Sequence, residues 1–381
     1  MRLPVLRSMS GFRKHPAAAV ILAGLGYLAV VQVIAAMSAA ARPEGVPQNW
    51  PDDVRATAPA LARFDAGWYR SIAVDGYFVG PDGHGNVVFF PLFPAAMRAA
   101  SRVTGLEPFR AGMAVSALAF LGSLLLLDRR WREMPGGADA GAARLALFLF
   151  PWSFFYAAPY TEALFLLASL LAFEGIRTRR RSLALLGGVA AGLTRISALA
   201  LVPALFLESR TKGARPGEAV VFASAPLVGV SSFLAWSGIR FGDPLLFLHA
   251  EAAGWERHSG GFSGMIRTTF ERGIENVRSG GILHAGRLVD LLVVIGIAAA
   301  AVWLLRERRW GEGLFVLATA GLVVSSGSLA SDGRYAVTLF PIFPLIARLR
   351  GKPVAWRLFL AVCAAIEIHL VFRFVSGRWV A

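Results

Sequence analysis

The sequence has few charged residues and almost no cysteine. Of its 381 residues only 17% are charged and only one, Cys363, is a cysteine. A soluble globular domain carries about 25% charged residues. A single cysteine excludes an intrachain disulfide, and no cluster of cysteine and histidine has the spacing of a zinc site. This composition excludes a soluble enzyme, a disulfide-stapled secreted domain and a disordered chain.

Several motifs of well-known catalytic sites are also missing. The sequence contains no Walker-type glycine loop, no GxGxxG, no HExxH and no Gly-x-Ser-x-Gly elbow. It also lacks an Asp-x-Asp pair of the kind that holds a divalent ion with a diphosphate, since Asp52 and Asp53 are adjacent. We therefore predict neither a metal site nor a cofactor.

What the chain does have is long apolar runs. Hydrophobic residues make up 56% of it, in blocks of about 16–26 residues, and about 20 residues suffice to cross a hydrocarbon layer of about 30 Å. We predict an all-α, polytopic integral membrane protein with about eleven transmembrane helices. The predicted spans are 17–40, 109–128, 142–158, 161–176, 183–193, 197–208, 217–238, 287–305, 312–329, 335–349 and 354–374.

The basic residues indicate the orientation of these spans. The net charge is +15, but the cations lie in short clusters between apolar blocks, which is the positive-inside pattern rather than a nucleic-acid-binding face. Nucleic acid is therefore not an expected partner. We predict a plasma-membrane protein with a cytoplasmic N-terminus and a retained first helix, because the run from Ala17 to Ala41 exceeds the roughly 7–15 residues of a signal peptide.

Two long external loops and one interrupted block stand out within a single predicted domain, residues 1–381. The first loop, 42–108, is predicted to carry interfacial helices, one at 66–74 and one starting in the Phe-Pro-rich segment 89–94. The second loop is 240–286. The block 183–208 has basic clusters at both ends, so we predict two short helices that dip in and return, with Arg195 at the outer turn.

A few ionisable residues are predicted to lie together on the outer face, where such groups in apolar surroundings mark functional sites. Asp65 either caps the helix 66–74 or acts as a catalytic carboxylate. Glu162 either sits in the first turn of a helix, where its charge suits the dipole, or belongs to the site. Arg195 either snorkels to the interface or binds a phosphate. Asp332 and Arg334 either pair with each other or meet a sugar and a phosphate.

Five segments resemble, in order, the motifs of the PIG-V-like mannosyltransferases of the GT-C superfamily. The similarity covers residues 63–344, and one departure is Phe64, where a tryptophan is expected before the aspartate. The matching segments are Arg63 to Tyr77, Phe89 to Pro94, Pro151 to Phe165, Gly192 to Ser197 and Gly333 to Pro344.

The resemblance implies a GT-C-type fold and transfer of a mannosyl residue from a polyprenyl-phosphate donor to a hydroxyl of a glycolipid or glycan acceptor on the outer face. It implies that Asp65 is the catalytic base. A monophosphate leaving group can be met by arginines without a metal, and direct displacement by the acceptor would invert the anomeric centre. The further residues assigned to substrate binding are Arg63, Trp68, Tyr69, Glu162, Arg195, Asp332, Arg334 and Tyr335.

Two other hypotheses stay open at this point. A lipid or sugar transporter would place ionisable residues near the bilayer midplane on several helices and often contains internal repeats, none of which is visible. An assembly scaffold without catalysis would leave the break at Arg195 without a purpose. The sequence does not determine the acceptor, the hexose or the oligomeric state.

Overall fold

The computed structural model describes residues 16–41, 50, 52–80, 83, 85–134, 139–255, 286–325 and 332–380, with a few single positions between 267 and 278. Within these residues the chain is helical, and its extended pairing is limited to one isolated bridge between Val79 and Gly85. The α-helices in this part of the chain, numbered in order, are α1 (Pro16–Ala41), α2 (Asp52–Thr57), α3 (Asp65–Val74), α4 (Leu92–Thr104), α5 (Pro108–Arg132), α6 (Ala140–Phe148), α7 (Glu162–Arg177), α8 (Arg181–Thr194), α9 (Leu201–Thr211), α10 (Pro216–Phe241), α11 (Leu246–Trp255), α12 (Gly286–Arg306), α13 (Trp310–Ser325), α14 (Asp332–Thr338), α15 (Phe343–Ala347) and α16 (Pro353–Val375).

Five of the described helices are long and apolar enough to cross a membrane, which identifies the chain as a membrane protein. They are α1, α5, α10, the Leu288–Arg306 part of α12, and α16. Each has 19 to 26 residues, and about 20 residues span the hydrocarbon core of a bilayer. The apolar helices α8 and α13 are shorter. The predicted total of about eleven spans stays a prediction.

Helix α7 defines the two ends of the bundle. It begins at Glu162, which bonds to Arg334, and carries Glu174 near its other end, which bonds to Arg130. These two glutamates are twelve residues apart, which is about 18 Å along a helix. We call the end with Glu162 the site end and the end with Glu174 the basic end.

The chain breaks at Arg195 as predicted. Helix α8 ends at Thr194, Arg195 is extended (φ −156°, ψ 146°), and a 3₁₀ turn leads into α9. Arg195 lies at the site end beside Glu162, whereas Glu208 of α9 packs against Gly311 near the basic end. The two short helices therefore run to the site end and back.

A close crossing of α8 and α10 holds this break in place. A Cβ on Gly192 would lie 2.2 Å from the carbonyl oxygen of Pro226, and one on Gly229 would lie 2.3 Å from that of Val189. Any side chain at either position would force the two backbones apart. Glycine is needed here for close approach, one turn before Arg195.

The structure contains a helix at each of the two positions predicted in the first loop, and their location at the membrane interface stays a prediction. Helix α3 covers Asp65–Val74, and α4 begins at Leu92, inside the Phe-Pro-rich segment. In the second loop the structure describes α11 (Leu246–Trp255), and most of the remainder lies outside the described residues.

Two predicted spans are not continuous helices. In the segment 142–158, α6 ends at Phe148 and a 3₁₀ turn follows at Ser153–Ala157, because Pro151 has no N–H to continue the helix. In the segment 335–349, Pro341 and Pro344 divide the chain into α14, a 3₁₀ turn and α15. Helices α6 and α15 pack against each other. The predicted span 312–329 corresponds to α13, which ends at Ser325, and residues 326–331 lie outside the described part.

Candidate active site

Asp65 opens helix α3 at an unusual backbone position. The preceding residue, Phe64, has φ +50° and ψ −118°, a conformation that L-residues with bulky side chains rarely adopt. Strained backbone of this kind costs on the order of 1–3 kcal/mol and clusters at functional sites. Asp65 is the first helical residue rather than the N-cap, and its carboxylate points to another helix instead of bonding to the first turn of α3.

Arg334 of α14 bridges the two candidate carboxylates. Its Nη1 donates to Asp65 Oδ2 and its Nε donates to Glu162 Oε1, both at 2.7 Å. The Arg334 side chain is 6% exposed, whereas that of Asp65 is 16% exposed. Arg334 thus bonds to Asp65 and Glu162 rather than forming only the local pair with Asp332 that the sequence allowed.

Glu162 is shared between Arg334 and Arg195. Its Oε1 accepts from Arg334 and, at 2.8 Å, from Nη1 of Arg195, which also donates to Thr161 Oγ1 at 3.4 Å. Within the described residues the buried Oε2 of Glu162 accepts no hydrogen bond. The four charged side chains form one ionic cluster, which we call the site cluster: Asp65, Glu162, Arg195 and Arg334.

The site cluster keeps unused bonding capacity. Arginine has five N–H donors, and in the described part of the chain only those on Nη1 of Arg195 reach a protein acceptor, leaving Nε and Nη2. Likewise Asp65 Oδ1 accepts from no described group. The Arg195 guanidinium lies 4.8 Å from the centre of the Tyr335 ring, which fixes its plane. An anion beside Arg195 and a hydroxyl beside Asp65 would therefore find open partners.

Aromatic rings enclose the Arg334 guanidinium. The ring centres of Tyr160, Phe155 and Trp379 lie 4.8, 5.1 and 5.6 Å from its central carbon. The Tyr160 hydroxyl donates to the carbonyl of Arg63 at 2.8 Å, and burial together with the nearby Asp65 charge raises the pKa of Tyr160. Tyr160 therefore stays a neutral donor, and the rings lower the local dielectric around the ion pairs.

The structure places Arg63 apart from the site cluster. It is buried, and its guanidinium donates to the backbone carbonyls of Pro59, Ala62 and Val375. Burial lowers the pKa of Arg63 to about 10, so it remains charged at neutral pH. These contacts tie the entry of α3 to the end of α16. Substrate binding by Arg63 stays a prediction that this geometry does not favour.

The remaining predicted residues differ in their surroundings. Tyr69 is buried and meets the rings of Phe89, Phe93 and Tyr160 edge-on, and burial raises its pKa. Trp68 is partly buried near Phe89. The side chain of Asp332 lies outside the described residues, so its predicted role is neither supported nor opposed.

Residues that sequence reasoning did not single out hold the site cluster in place. Arg98 of α4 donates to the carbonyls of Ile72, Ala73 and Val74 in the last turn of α3. Trp379, after α16, covers Arg334. Arg98 could have been suspected from the strongly amphipathic pattern of α4, but no local signal assigns its partner.

Gly333, which precedes Arg334, packs so closely against Trp152 that there is no room for a side chain at position 333. A Cβ there would lie 2.0 Å from the Trp152 ring, which is held by a hydrogen bond from its Nε1 to the Val380 carbonyl. We expect Gly333→Ala to shift α14, to cost about 1–3 kcal/mol by overpacking, and to lower the activity proposed below by at least tenfold. Folded fraction in detergent and activity per folded molecule measure the two effects.

Gly321→Ala is the matched control, since a Cβ at Gly321 of α13 meets nothing within 4 Å. An alanine there should keep stability and activity at parental levels, or raise stability slightly through its helix propensity. Equal effects of the two substitutions would show that the contact with Trp152 does not position Arg334.

Among the described residues no group of three or more His, Cys, Asp or Glu side chains is arranged to hold a metal ion. What the site cluster offers chemically is a carboxylate with one open oxygen that bonds to the guanidinium of Arg334, and a second guanidinium, that of Arg195, joined to Arg334 through Glu162. Such an arrangement can accept a proton from a hydroxyl and stabilise negative charge on a phosphate.

Comparison with known proteins assigns no family. No protein-family model matches the chain, and no curated protein matches it. Among solved structures, the chain is similar to the oligosaccharyltransferase of Archaeoglobus fulgidus in complex with zinc and sulfate, with 13% identity and a TM-score of 0.48. The aligned region covers 93% of this chain and 53% of that protein, so this chain spans about half its length. A likeness of this size does not establish a common fold or activity.

Proposed function

We propose that this protein is a GT-C-type membrane glycosyltransferase, which transfers a hexosyl residue, mannose by the resemblance of its motifs, from a polyprenyl-phosphate donor to a hydroxyl of a glycolipid or glycan. The observation that carries the proposal is the site cluster, in which Arg195 with its open donors and Asp65 with its open oxygen are joined through Glu162 and Arg334. Asp65 begins α3 and Arg195 lies at the break after α8, both at the site end of the bundle, where a lipid-linked substrate can reach them. By the positive-inside pattern, the site end lies on the extracytoplasmic face of the plasma membrane.

The proposed reaction divides the work between the two sides of the cluster. Nε and Nη2 of Arg195 bind the phosphate of the donor and stabilise the negative charge that develops on it as the glycosidic bond breaks. Asp65 Oδ1 takes the proton of the acceptor hydroxyl as its oxygen bonds to the anomeric carbon. The products are the glycosylated acceptor, with inverted configuration, and the polyprenyl phosphate. The mechanism uses neither a metal ion nor a cofactor.

Glu162 and Arg334 are assigned a positioning role in this scheme. Glu162 orients Arg195 by accepting a hydrogen bond from its Nη1, and it leaves Nε and Nη2 of Arg195 open. Arg334 holds Oδ2 of Asp65 in place. The two carboxylates and two guanidinium groups of the site cluster balance in charge. The donor phosphate is therefore bound by the open N–H donors of Arg195 rather than by an excess of positive charge.

A reconstituted assay tests the proposed function. Proteoliposomes containing the protein are incubated with radiolabelled polyprenyl-phosphate mannose and membranes from a strain that lacks the gene, and the products are separated from the donor. We expect label in a new covalent product, with none from a nucleotide-linked mannose. No product from the lipid-linked donor, beside an active reference mannosyltransferase, would contradict the proposal.

A transporter is favoured by one specific observation, a buried carboxyl within a spanning helix. Glu367 of α16 is buried and accepts a hydrogen bond from the Tyr27 hydroxyl of α1 at 2.7 Å, and ionisable groups at membrane depth often serve transport. The same proteoliposomes decide between the two functions. Movement of labelled lipid-linked sugar across the bilayer without a covalent product would support the transporter.

A further inference from the structure

Trp379 is a partly exposed tryptophan at the site cluster that the proposed reaction leaves unused. It follows α16, and its ring centre lies 5.6 Å from the guanidinium carbon of Arg334, which in turn bonds to Asp65. Trp379 is 37% exposed although its ring packs beside Arg334. Part of the indole surface is therefore open beside the reacting groups.

Two further contacts hold the ring in one place. The Trp379 ring meets the Phe64 ring edge-on, with centres 5.0 Å apart and planes at 79°. The next residue, Val380, accepts a hydrogen bond from Trp152 Nε1 at 2.9 Å. A tryptophan that served only as an anchor to the membrane surface would not require these contacts with the residues flanking Asp65 and Arg334.

Resting on the proposed function, we infer that Trp379 is a sugar-binding platform of this site. A hexopyranose ring has an apolar face of C–H groups that packs against an indole and polar edges that bond to charged neighbours, and a tryptophan supplies a large rigid surface for such contacts. Arg334 and Asp65 are placed to meet the hydroxyl edge of a sugar lying on Trp379. The sugar is the hexose of the donor or that of the acceptor, since both must approach Asp65.

Equilibrium binding to the purified full chain in detergent tests the inference without requiring turnover. The probes are polyprenyl-phosphate mannose and the same polyprenyl phosphate without its sugar. If Trp379 binds the donor sugar, Trp379→Ala should weaken binding of the mannosylated lipid about tenfold, as for a well-packed aromatic contact, and leave the bare lipid phosphate unaffected. Trp379→Phe and Trp379→Tyr should recover most of the loss.

A second arm covers the acceptor. If donor binding is unchanged, methyl α-mannoside is supplied as acceptor in the transfer assay, and Trp379→Ala should raise its KM about tenfold with little change in kcat. Trp236→Ala is the matched control, because Trp236 is 38% exposed and packs on Tyr77 and Phe233 rather than on the site cluster. It should leave both measurements at parental values.

Three outcomes would overturn the inference. One is parental donor binding together with parental acceptor KM in Trp379→Ala. Another is an equal loss for lipids with and without the sugar, which shows that Trp379 only positions Arg334. The third is a loss that neither Phe nor Tyr recovers. Failure of the parental protein to bind or transfer any lipid-linked sugar would instead overturn the proposed function, and this inference with it.

Discussion

Asp65→Asn is expected to lower the rate of glycosyl transfer by roughly 10²–10⁴-fold, the range that a positioned general base contributes. Asparagine keeps the shape of the side chain and can still accept the hydrogen bond that Arg334 donates at 2.7 Å. It cannot take a proton from the acceptor hydroxyl. The loss should therefore appear in kcat, while binding of the lipid-linked donor stays close to that of the parental protein.

The control for this prediction removes a carboxylate elsewhere on the same side of the molecule. Asp243 follows α10, is partly exposed and bonds to Nδ1 of His249 at 2.6 Å. Asp243→Asn should leave transfer unchanged. Parental activity in Asp65→Asn, with an equal folded fraction for all three proteins, would show that Asp65 is not the base.

Arg130→Met is expected to cause the largest loss of stability. Arg130 of α5 donates to Glu174 of α7 at 2.7 Å and to Glu312 of α13, and all three side chains are buried. Its guanidinium also lies 5.3 Å from the centre of the Phe340 ring. Removing one partner of a buried ion pair leaves uncompensated charge and costs about 3–5 kcal/mol. Arg177 and Arg309 still bond to these glutamates and should hold the loss near the lower bound.

Arg129→Met is the matched control, one residue away. The Arg129 side chain is 63% exposed and pairs with Glu133 one turn later, and exposed pairs of this kind contribute about 0–1 kcal/mol. Loss of folded protein during heating in detergent measures both variants. Equal stability of Arg130→Met and Arg129→Met would show that the ion pairs of Arg130 with Glu174 and Glu312 do not stabilise the fold.

Arg129 and Arg130 also show which properties can be predicted from the sequence and which cannot. Both arginines belong to a basic run that indicates which end of a span faces the cytoplasm, and nothing local separates them. Consecutive helix residues point about 100° apart, so one faces outward while the other enters the bundle. The partners of Arg130 are 44 and 182 residues away in the chain, and only packing brings them together.

The candidate site divides in the same way. Glu162 and Arg195 stand out in the sequence because each is charged within an apolar setting, and Arg334 stands out because it lies beside Asp332 at the predicted outer end of a helix. The sequence also places the break at Arg195, since basic clusters on both sides require a return to the same face. It does not show that Arg334 bonds to both Asp65 and Glu162, or that the guanidinium of Arg63 is occupied by three carbonyls. Those facts depend on contacts between distant segments.

By itself, then, the sequence determines a helical membrane protein with helices in its first loop and a few charged residues that do not belong to the basic clusters that indicate topology. These properties follow from hydrophobic length and local charge, which act over one or two helical turns. Tertiary structure alone decides that Arg334 bonds to both Asp65 and Glu162, that Trp379 and Arg98 support the site cluster, and which donors of Arg195 stay open. The physical reason is that a buried ion pair or aromatic contact is specified by three-dimensional packing between distant helices, which local sequence patterns do not encode.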